Sequence, residues 1–254
     1  MKAMIFAAGL GTRLGEITRT LPKALVEVGG EPMLKRVILK LKDAGVSFMV
    51  INVHHHAGCI TDYLKANGNF GVDIMISDES DMLLDTGGGL LKAHHFFEGQ
   101  EPVIVHNADI LTDFDIPAML SAHLGSGADA TLLAASRQTS RYLLFNPSGR
   151  MVGWENIKSG EIRSPLPSKE LSDARRLAFG GVHIINPTIF PRLADYTNEA
   201  KFSITPFYTD ECANLDIRAY TPEESYNWID IGKPDSLIKA ENIVSGLRPT
   251  RREG

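Results

Sequence analysis

The sequence predicts an α/β fold with a mostly parallel central sheet, and two observations carry this prediction. Residues 2–8 (KAMIFAA) and 48–53 (FMVINV) are short apolar runs without polar alternation, which is typical of strands covered on both faces. Between them, residues 32–45 (PMLKRVILKLKDAG) place apolar side chains at helical spacing. A strand, a helix and a strand in this order predict a parallel pair joined by a right-handed crossover.

The same alternation continues along the chain, and a second pattern follows it. We expect a helix at 57–67, a strand at 72–76, a helix beginning near Gly88 and a strand at 103–106. From about residue 129, apolar stretches separated by turn signals predict a small β-rich lobe inserted on the parallel core. The remaining predicted elements are helices near 187–195 and 205–214, strands near 217–220 and 226–232, and a helix at about 234–245.

Length, charge and cysteine content narrow the class of protein. The 254 residues suit one sizeable domain, which we place at 1–246, and the polar tail at 247–254 is expected to be flexible. The net charge of −5 argues against a general nucleic-acid binder. Two cysteines are too few for a disulfide framework, and no segment approaches the roughly 20 apolar residues of a membrane span. We therefore expect a cytoplasmic protein with no nucleic-acid or membrane partner.

A glycine-rich loop follows the first predicted strand. Gly9, Gly11 and Gly15 are too widely spaced for the dinucleotide fingerprint, and the P-loop Gly-Lys-Ser/Thr is absent at its required distance. Small residues at a strand end let backbone amides approach an anion, and Arg13 and Lys23 add cationic donors. The loop therefore predicts an anion site, with an ordinary glycine turn between a strand and a helix as the alternative.

Three consecutive glycines form a second candidate motif, at residues 85–93 (DTGGGLLKA). A backbone without Cβ atoms either turns sharply or lets a flat ligand lie close to the chain. Thr86 adds a hydroxyl group to the same segment. The motif is interpreted as one wall of a ligand pocket, and a flexible first turn of a helix is the alternative.

Two carboxylates lie beside apolar strands that are far apart in the sequence. Asp109 follows the strand predicted at 103–106, and Asp230 lies within the apolar stretch at 226–232. An uncompensated carboxylate inside such a stretch is costly, and Mg²⁺ prefers oxygen ligands. One Mg²⁺ held by both carboxylates would compensate the charge, with an arginine or backbone amides as alternatives. Asp109 alone also fits a helix cap or a turn.

Two other groups of residues are discounted as metal or stacking sites. His54, His55 and His56 are consecutive on an extended segment, so their side chains alternate between faces and cannot all bind one ion. Trp154 and Trp228 are interpreted as packing residues.

Together these motifs resemble the sugar-1-phosphate nucleotidyltransferase family over essentially the whole chain. The family signature is an apolar strand, G-x-G-T-R-L/M, and P-K about ten residues on, and it is matched by Gly9, Gly11, Thr12, Arg13, Leu14, Pro22 and Lys23. The resemblance implies a Rossmann-like three-layer sandwich with a sugar-binding lobe, the nucleotide-diphospho-sugar transferase fold. It also implies that 1–128 mainly binds the NTP, that 129–225 mainly binds the sugar phosphate, and that 226–246 closes the domain.

The resemblance assigns a role to each matching residue. Arg13, Lys23 and Asp109 are implied to be catalytic, and Asp109 and Asp230 to hold Mg²⁺. The implied substrate-binding residues are Ala8, Gly9, Gly11 and Thr12 in the loop, Thr86, Gly87 and Gly88 near the nucleobase, Asn107 and Glu155, and Gly180 and Gly181 beside the sugar.

The chain departs from the family pattern at two points. The usual glycine before the metal-binding aspartate is Ala108 here, which bears on how closely a substrate can approach. Many members carry Glu-Lys-Pro in the lobe, whereas this chain has Trp154-Glu155-Asn156. Lys158 is therefore only a candidate for the lysine that contacts the sugar phosphate.

The implied reaction joins an NTP to a sugar 1-phosphate and releases pyrophosphate. Within the family, the short chain and LLDTGGGLLKA are most similar to N-acetylmuramate-1-phosphate uridylyltransferases, which implies UTP as the donor. A mannose-1-phosphate guanylyltransferase, which uses GTP, is the alternative. A non-catalytic regulatory subunit that binds a nucleotide sugar, and a choline-phosphate cytidylyltransferase with an aromatic cage, also stay open. We expect a monomer or a homodimer.

Overall fold

The computed structural model of the chain describes residues 1–247. Its strands are β1 (Lys2–Phe6), β2 (Glu27–Val28), β3 (Glu31–Pro32), β4 (Phe48–Val53), β5 (Asp73–Asp78), β6 (Val103–Asn107), β7 (Ile110–Thr112), β8 (Ala130–Ala135), β9 (Arg141–Phe145), β10 (Met151–Asn156), β11 (Glu161–Arg163), β12 (Arg175–Ile185), β13 (Ile217–Tyr220) and β14 (Trp228–Asp230). Its α-helices are α1 (Met33–Asp43), α2 (Ala57–Ala66), α3 (Asp85–Ala93), α4 (Ile116–Ser126), α5 (Phe190–Asp195), α6 (Ile204–Glu211) and α7 (Pro234–Leu247). Apart from Leu247, the tail predicted to be flexible lies outside the described residues.

One sheet of ten strands forms the centre of the molecule. Its main order is β11-β10-β9-β12-β6-β1-β4-β5, with β8 also paired to β12 and β13 paired to β8. β1 is parallel to β4 and β6, and β4 is parallel to β5. β12 runs antiparallel to β6, β8 and β9, and the antiparallel β9, β10 and β11 extend the sheet beyond it. The predicted α/β fold with its parallel central sheet is confirmed, whereas the division of 1–246 by substrate stays a prediction.

Helices cover both faces of the sheet, which makes three layers. On β1, Ala3 and Ile5 belong to one buried core, which also contains the apolar faces of α1, α2 and α4. Met4, between them, belongs to a second core with α3, α5 and α6. Successive side chains of a strand point to opposite faces, so one short apolar run fills both cores. The prediction of a three-layer sandwich is confirmed.

Helix α7 packs against residues from the first part of the chain. In α7, Ala240 and Val244 pack in a third buried cluster with Val28 and Met33. The β14 strand just before this helix pairs antiparallel with β7, and Asp230 lies opposite Ile110. This short pairing places a late segment of the chain beside the end of β6.

Observed helix ends differ from the predicted ones by a few residues. The helix expected from Gly88 already begins at Asp85, which has a left-handed φ of 60°. The helix expected at 205–214 ends at Glu211. Among residues 1–247, no helix is both long and apolar enough to cross a membrane.

Candidate active site

A cavity of about 520 Å³ opens at the carboxyl ends of β1, β4 and β6. In open parallel sheets, ligands bind at such strand ends. Many of the residues predicted from the sequence line this inner cavity: Ala8, Gly9, Gly11, Thr12, Arg13, Lys23, Thr86, Asn107 and Asp109. The structure therefore brings the glycine loop, the threonine of the second motif and the first carboxylate to one place.

The glycine loop forms one wall of the inner cavity. Asn52 on β4 holds the start of the loop, because its Oδ1 accepts a hydrogen bond from the Ala7 N–H at 2.7 Å. Gly11 has a φ of 67°, and its carbonyl accepts a bond from Thr18 Oγ1 at 2.9 Å. A Cβ at Gly11 would lie 2.8 Å from Thr18 Cγ2, so both the backbone angle and the packing require glycine there.

Lys23 joins the two carboxylates that are predicted to hold a metal. Its Nζ forms an ion pair with Asp109 and lies 3.6 Å from Asp230 Oδ1. The pairing of β14 with β7 explains how these distant residues meet. It is extended by a hydrogen bond from the Ile231 N–H to the Asp109 carbonyl at 3.0 Å.

The structure gives these charges partners and an exposure that the sequence did not predict. Lys23 was expected on phosphates, yet only 9% of its side chain is exposed and its partners are carboxylates. A phosphate contact for Lys23 stays a prediction. Asp230 was expected to be buried in its strand, yet 39% of its side chain is exposed. A lysine and the Gly232 N–H, which donates to Asp230 Oδ1 at 2.7 Å, compensate its charge without an arginine.

Because Gly232 has no side chain, three charged side chains can meet beside it. A Cβ at this position would lie 2.8 Å from both Asp230 Oδ1 and Lys23 Nζ, and 3.3 Å from Arg13 Nη2. Arg13 is exposed, and its guanidinium forms no hydrogen bond or ion pair with the described residues. Arg13 therefore offers all its donors to a ligand in the inner cavity. The sequence motifs had not singled out Gly232, although it lies two residues after the second carboxylate.

The donor chemistry of Asp109 and Asp230 fits a Mg²⁺ ion. Both carboxylates lie within ion-pair distance of one cationic atom, Lys23 Nζ, so one cation position can be shared by the two. Mg²⁺ is commonly bound by one or two carboxylates and completes its coordination with substrate phosphates and water. In the described part of the chain, no group of three or more His, Cys, Asp or Glu side chains forms a richer metal site.

The glycines of the second motif serve close packing. A Cβ at Gly87 would lie 2.4 Å from the Phe202 ring, and one at Gly88 would lie 2.1 Å from the Ala200 carbonyl oxygen. Both amides donate to the Phe202 carbonyl, at 2.9 and 3.1 Å. These two amides are therefore already occupied, and the position of Gly87 and Gly88 near a nucleobase stays a prediction. Thr86 lines the inner cavity in their place.

Glu79 is a buried carboxylate in the wall of the inner cavity that the sequence motifs missed. Its Oε1 accepts from Asn52 Nδ2 at 2.7 Å, and its Oε2 accepts from the Leu84 N–H at 3.0 Å. The third glycine of the motif, Gly89, makes room for it, because a Cβ there would lie 2.6 Å from Glu79 Oε1. Glu79 directly follows β5, so the strand-end rule that found Asp109 could also have found Glu79.

A second cavity, of about 420 Å³, lies on one face of β9, β10 and β11. Strand pairing places Arg141 beside Asn156, and Trp154 beside Arg163, so alternate side chains of the three strands form its floor. Arg163 pairs with Glu161 at 2.7 Å, whereas the Arg141 guanidinium forms no hydrogen bond with the described residues. We call this the outer cavity. It is rich in cations and has an aromatic floor.

Glu155 does not lie in either cavity. It occupies the opposite face of β10 from Trp154 and Asn156, because successive residues of a strand alternate. Its side chain is buried in a two-point ion pair with Arg176, at 2.5 and 2.9 Å. Glu155 therefore lines neither cavity, and its implied role in substrate binding stays a prediction. Lys158, the candidate for the sugar-phosphate lysine, is exposed on the turn after β10.

Gly180 and Gly181 form an irregularity of β12 between the two cavities. The register of β12 against β8 shifts between Phe179 and His183. Gly181 has a φ of 71°, and a Cβ there would lie 2.9 Å from Asn107 Nδ2, on the wall of the inner cavity. Phe179, on the other side of the glycine pair, lines the outer cavity. Neither glycine lines a cavity itself, and their contact with the sugar stays a prediction.

A larger cleft, of about 1020 Å³, lies between α1, the segment after β7 and α7. No residue predicted for the site lines this cleft. Cavity size alone therefore does not locate the site, whereas the meeting of the loop and the carboxylates does.

Comparison with known proteins identifies the family of the chain as a whole. Residues 2–245 match the family described as nucleotidyl transferase. The chain belongs to the nucleotidyl transferase family. The predicted resemblance and enzyme class are therefore confirmed, and both cavities lie within the matched residues.

Three relatives of this nucleotidyl transferase illustrate the range of the family. The chain is 34% identical over 248 residues to an N-acetylmuramate alpha-1-phosphate uridylyltransferase of Neisseria meningitidis, covering 98% of this chain and 100% of the relative. It is 32% identical over 245 residues to the enzyme of that name in Caulobacter vibrioides, covering 94% and 95%. It is 26% identical over 258 residues to the mannose-1-phosphate guanyltransferase of Schizosaccharomyces pombe, covering 100% and 67%.

A solved structure supports the fold of this nucleotidyl transferase. A putative glucose-1-phosphate thymidylyltransferase from Bacillus anthracis superposes with a TM-score of 0.79 at 21% identity, covering 96% of this chain and 94% of that one. At this identity the likeness concerns the fold, and it agrees with the central sheet and flanking helices described above.

Proposed function

We propose that this chain transfers a nucleotidyl group from UTP to N-acetylmuramate 1-phosphate and releases pyrophosphate. The observation that carries the proposal is the meeting of Arg13, Lys23, Asp109 and Asp230 around Gly232, beside the glycine loop. Two polyanions must approach each other in this reaction, and a site made of cations and of carboxylates suited to a metal serves that purpose. The relatives at 32% and 34% identity support the choice of substrates.

The chain's own residues would position and neutralise charge. The glycine loop would hold the triphosphate through its backbone amides, and Arg13 would donate to the pyrophosphate as its negative charge grows. An oxygen of the sugar phosphate attacks the α-phosphorus, and the bond from that phosphorus to the bridging oxygen of the pyrophosphate breaks. No general base is needed, because a phosphate oxygen is already ionised at neutral pH.

Asp109 and Asp230 are the residues that would hold Mg²⁺. Bound there, the ion would supply charge neutralisation to the phosphates. Lys23, paired with both carboxylates, would keep them in place when the ion is absent. These roles rest on the paired geometry of the two carboxylates.

The residues that line the outer cavity support the proposal that the sugar substrate is acidic. N-acetylmuramate carries a lactyl carboxylate, and Arg141 and Arg163 both line this cavity. Guanidinium groups bind carboxylates through paired hydrogen bonds. Mannose 1-phosphate with GTP is the second candidate, and the yeast relative at 26% identity supports it.

The two remaining alternatives are less well supported. A non-catalytic regulatory subunit would not need Arg13 left without a partner beside two carboxylates. A choline cage would need open aromatic faces. Trp228 is instead covered by Arg137, whose Cζ lies 3.4 Å from the ring centroid, and Trp154 has Arg163 at 5.4 Å.

One activity matrix tests the proposal. Pyrophosphate release would be measured with UTP, GTP, CTP and dTTP, each combined with N-acetylmuramate, mannose, glucose and heptose 1-phosphates and with choline phosphate, at fixed Mg²⁺. We expect the highest kcat/KM for UTP with N-acetylmuramate 1-phosphate. A preference for GTP with mannose 1-phosphate would transfer the proposal to the second candidate, and no release with any pair would refute the activity.

A further inference from the structure

We infer that Arg137 binds the phosphate of the sugar 1-phosphate, at the junction of the inner and outer cavities. This inference rests on the proposed function and adds to it the residue that receives the attacking group. The matching residues of the signature do not include Arg137, and the Glu-Lys-Pro lysine that would otherwise be expected there is missing from this chain.

The Arg137 side chain is held flat between two elements of the site. Its guanidinium Cζ lies 3.4 Å from the centroid of the Trp228 ring, so the planar cation stacks on the aromatic face. Its Nη2 donates to the Phe179 carbonyl at 2.9 Å. Trp228 is itself fixed, because its Nε1 donates to the Gly180 carbonyl at 2.8 Å. The cation is therefore preorganised rather than free in solvent.

This position lies between the two substrates of the proposed reaction. Trp228 precedes the metal-binding candidate Asp230 by two residues on β14, and that carboxylate acts electrostatically on Arg137. On the other side, Phe179 lines the outer cavity, where the sugar would lie. A phosphate that links the sugar to the α-phosphorus has to occupy the space between these two groups. Arg137 lines neither cavity itself, but it contacts both Trp228 and Phe179 and so lies between these two groups.

Arg137 has no anionic partner among the described residues. No carboxylate lies within ion-pair distance of Arg137 among the described residues, its Nε is buried without a partner, and its Nη1 makes no hydrogen bond. Burial lowers the pKa of Arg137, and the nearby Tyr226 and Asp230 raise it. An arginine is charged at any physiological pH, so its charge is left to be matched by a ligand.

Three other cations of the region, Lys23, Arg163 and Lys158, have different surroundings. Lys23 is paired with Asp109 and lies close to Asp230, and Arg163 is paired with Glu161. Lys158 is exposed on the turn beyond the outer cavity. A guanidinium also binds phosphate at two points, which fixes the direction of the attacking oxygen as well as its charge.

Steady-state kinetics of Arg137→Gln and Arg137→Lys test this inference. With N-acetylmuramate 1-phosphate and UTP, we expect the sugar-phosphate KM to rise about 30-fold in Arg137→Gln, since a hydrogen bond to a charged group contributes about 1.5–3 kcal/mol. The KM for UTP should change less than about threefold. The sugar-phosphate KM of Arg137→Lys should be intermediate, because lysine keeps the positive charge but cannot form the two parallel hydrogen bonds of a guanidinium group. Competitive inhibition by inorganic phosphate against the sugar phosphate should weaken in parallel in Arg137→Gln.

A structural role for Arg137 would give a different pattern. If the residue only supports Trp228, both KM values would change together, inhibition by phosphate would be unaltered, and Trp228→Phe would reproduce the pattern of Arg137→Gln. If Arg137→Gln fails to fold, Arg137→Lys decides, and an unchanged sugar-phosphate KM in that variant overturns the inference. Wild-type turnover is measured first. An inactive wild-type protein would refute the proposed function. Normal wild-type turnover together with an unchanged sugar-phosphate KM in the variants would refute only the role of Arg137.

Discussion

Lys23 is paired with Asp109 in a position where only 9% of the lysine side chain and 24% of the aspartate side chain are exposed. The same ammonium group lies 3.6 Å from Asp230, so one cation lies between two carboxylates. Two carboxylates this close to a common point would repel each other without a cation. The lysine therefore keeps the candidate metal site assembled before any substrate binds.

Asp109→Asn is expected to lower kcat by about 10³-fold or more, because a neutral amide no longer completes the two-carboxylate site. The fold should persist, since asparagine keeps the volume and can still meet Lys23. Pyrophosphate release and far-UV circular dichroism would be measured together. Asp62→Asn, an exposed change on α2, is the matched control. Activity of Asp109→Asn within about threefold of the wild type would contradict the assignment.

Arg13→Ala is expected to lower kcat by about 10²-fold and to change the KM for UTP by less than about threefold. The reason is that its partner charge develops only as pyrophosphate departs. Arg19→Ala is the control in the same loop, because Arg19 is exposed and pairs with Glu16 at 2.9 Å. An effect of Arg13→Ala on KM alone would instead indicate ground-state binding of the triphosphate.

Arg141→Ala is expected to reduce the preference for an acidic sugar. We expect the KM for N-acetylmuramate 1-phosphate to rise about tenfold, by loss of a charge-assisted hydrogen bond, and the KM for glucose 1-phosphate to stay unchanged. Arg175→Ala is the control, because Arg175 is exposed on β12 and lines neither cavity. Equal changes of KM for both sugar phosphates would show that Arg141 does not bind the lactyl carboxylate.

Glu79→Gln is expected to destabilise the fold by about 1–3 kcal/mol, measured by urea unfolding. Glu79 accepts hydrogen bonds on both oxygens, from Asn52 and from the Leu84 amide. A glutamine would turn its NH₂ group toward one of these donors, which leaves a buried donor without an acceptor. Glu98→Gln, at an exposed position, should stay within about 0.5 kcal/mol of the wild type. If Glu79→Gln lowered the free energy of unfolding by only about 0.5 kcal/mol, the wall of the inner cavity would tolerate an amide at this position.

Acid is expected to destabilise the fold through two buried histidines. Burial lowers the pKa of His106 to about 4 and that of His183 to about 3, compared with an ordinary value of 6.5. The unfolded chain therefore binds protons that the folded chain does not, and stability falls as the pH decreases from about 6.5 toward 4.

The measurement for these histidines is urea unfolding between pH 7 and pH 5. In His183→Phe the dependence on pH should be weaker than in the wild type by up to about 1.4 kcal/mol per pH unit. Exposed His95 supplies the control variant His95→Gln, whose pH dependence should match that of the wild type. Identical slopes for the wild type and His183→Phe would contradict the assignment of His183 as a neutral buried group.

Local patterns predicted much of this site because its residues follow strands. The glycine loop follows β1 and Asp109 follows β6, and the carboxyl ends of these parallel strands necessarily meet at one edge. Such positions can be read from short apolar runs. Their meeting needs no knowledge of long-range packing beyond the order of strands and helices.

The residues that were missed or misplaced depend on pairing that no short pattern shows. Glu155 was expected in a pocket, but the register of β10 turns it to the face of Arg176. Arg137 is positioned by contacts with Trp228 and Phe179, which come from distant segments of the chain. A one-residue change of register reverses every side chain of a strand, so these positions require the folded structure.

The pairing of β14 with β7 also has a consequence for protein synthesis. Asp230 follows the glycine loop, Lys23 and Asp109 in the sequence, and most of the parallel sheet comes before it. A nascent chain can therefore fold much of its parallel sheet while it still lacks one of the two carboxylates. Both carboxylates come together only when β14 has left the ribosome and joined β7, so a chain that has not yet reached β14 carries the loop without the full site.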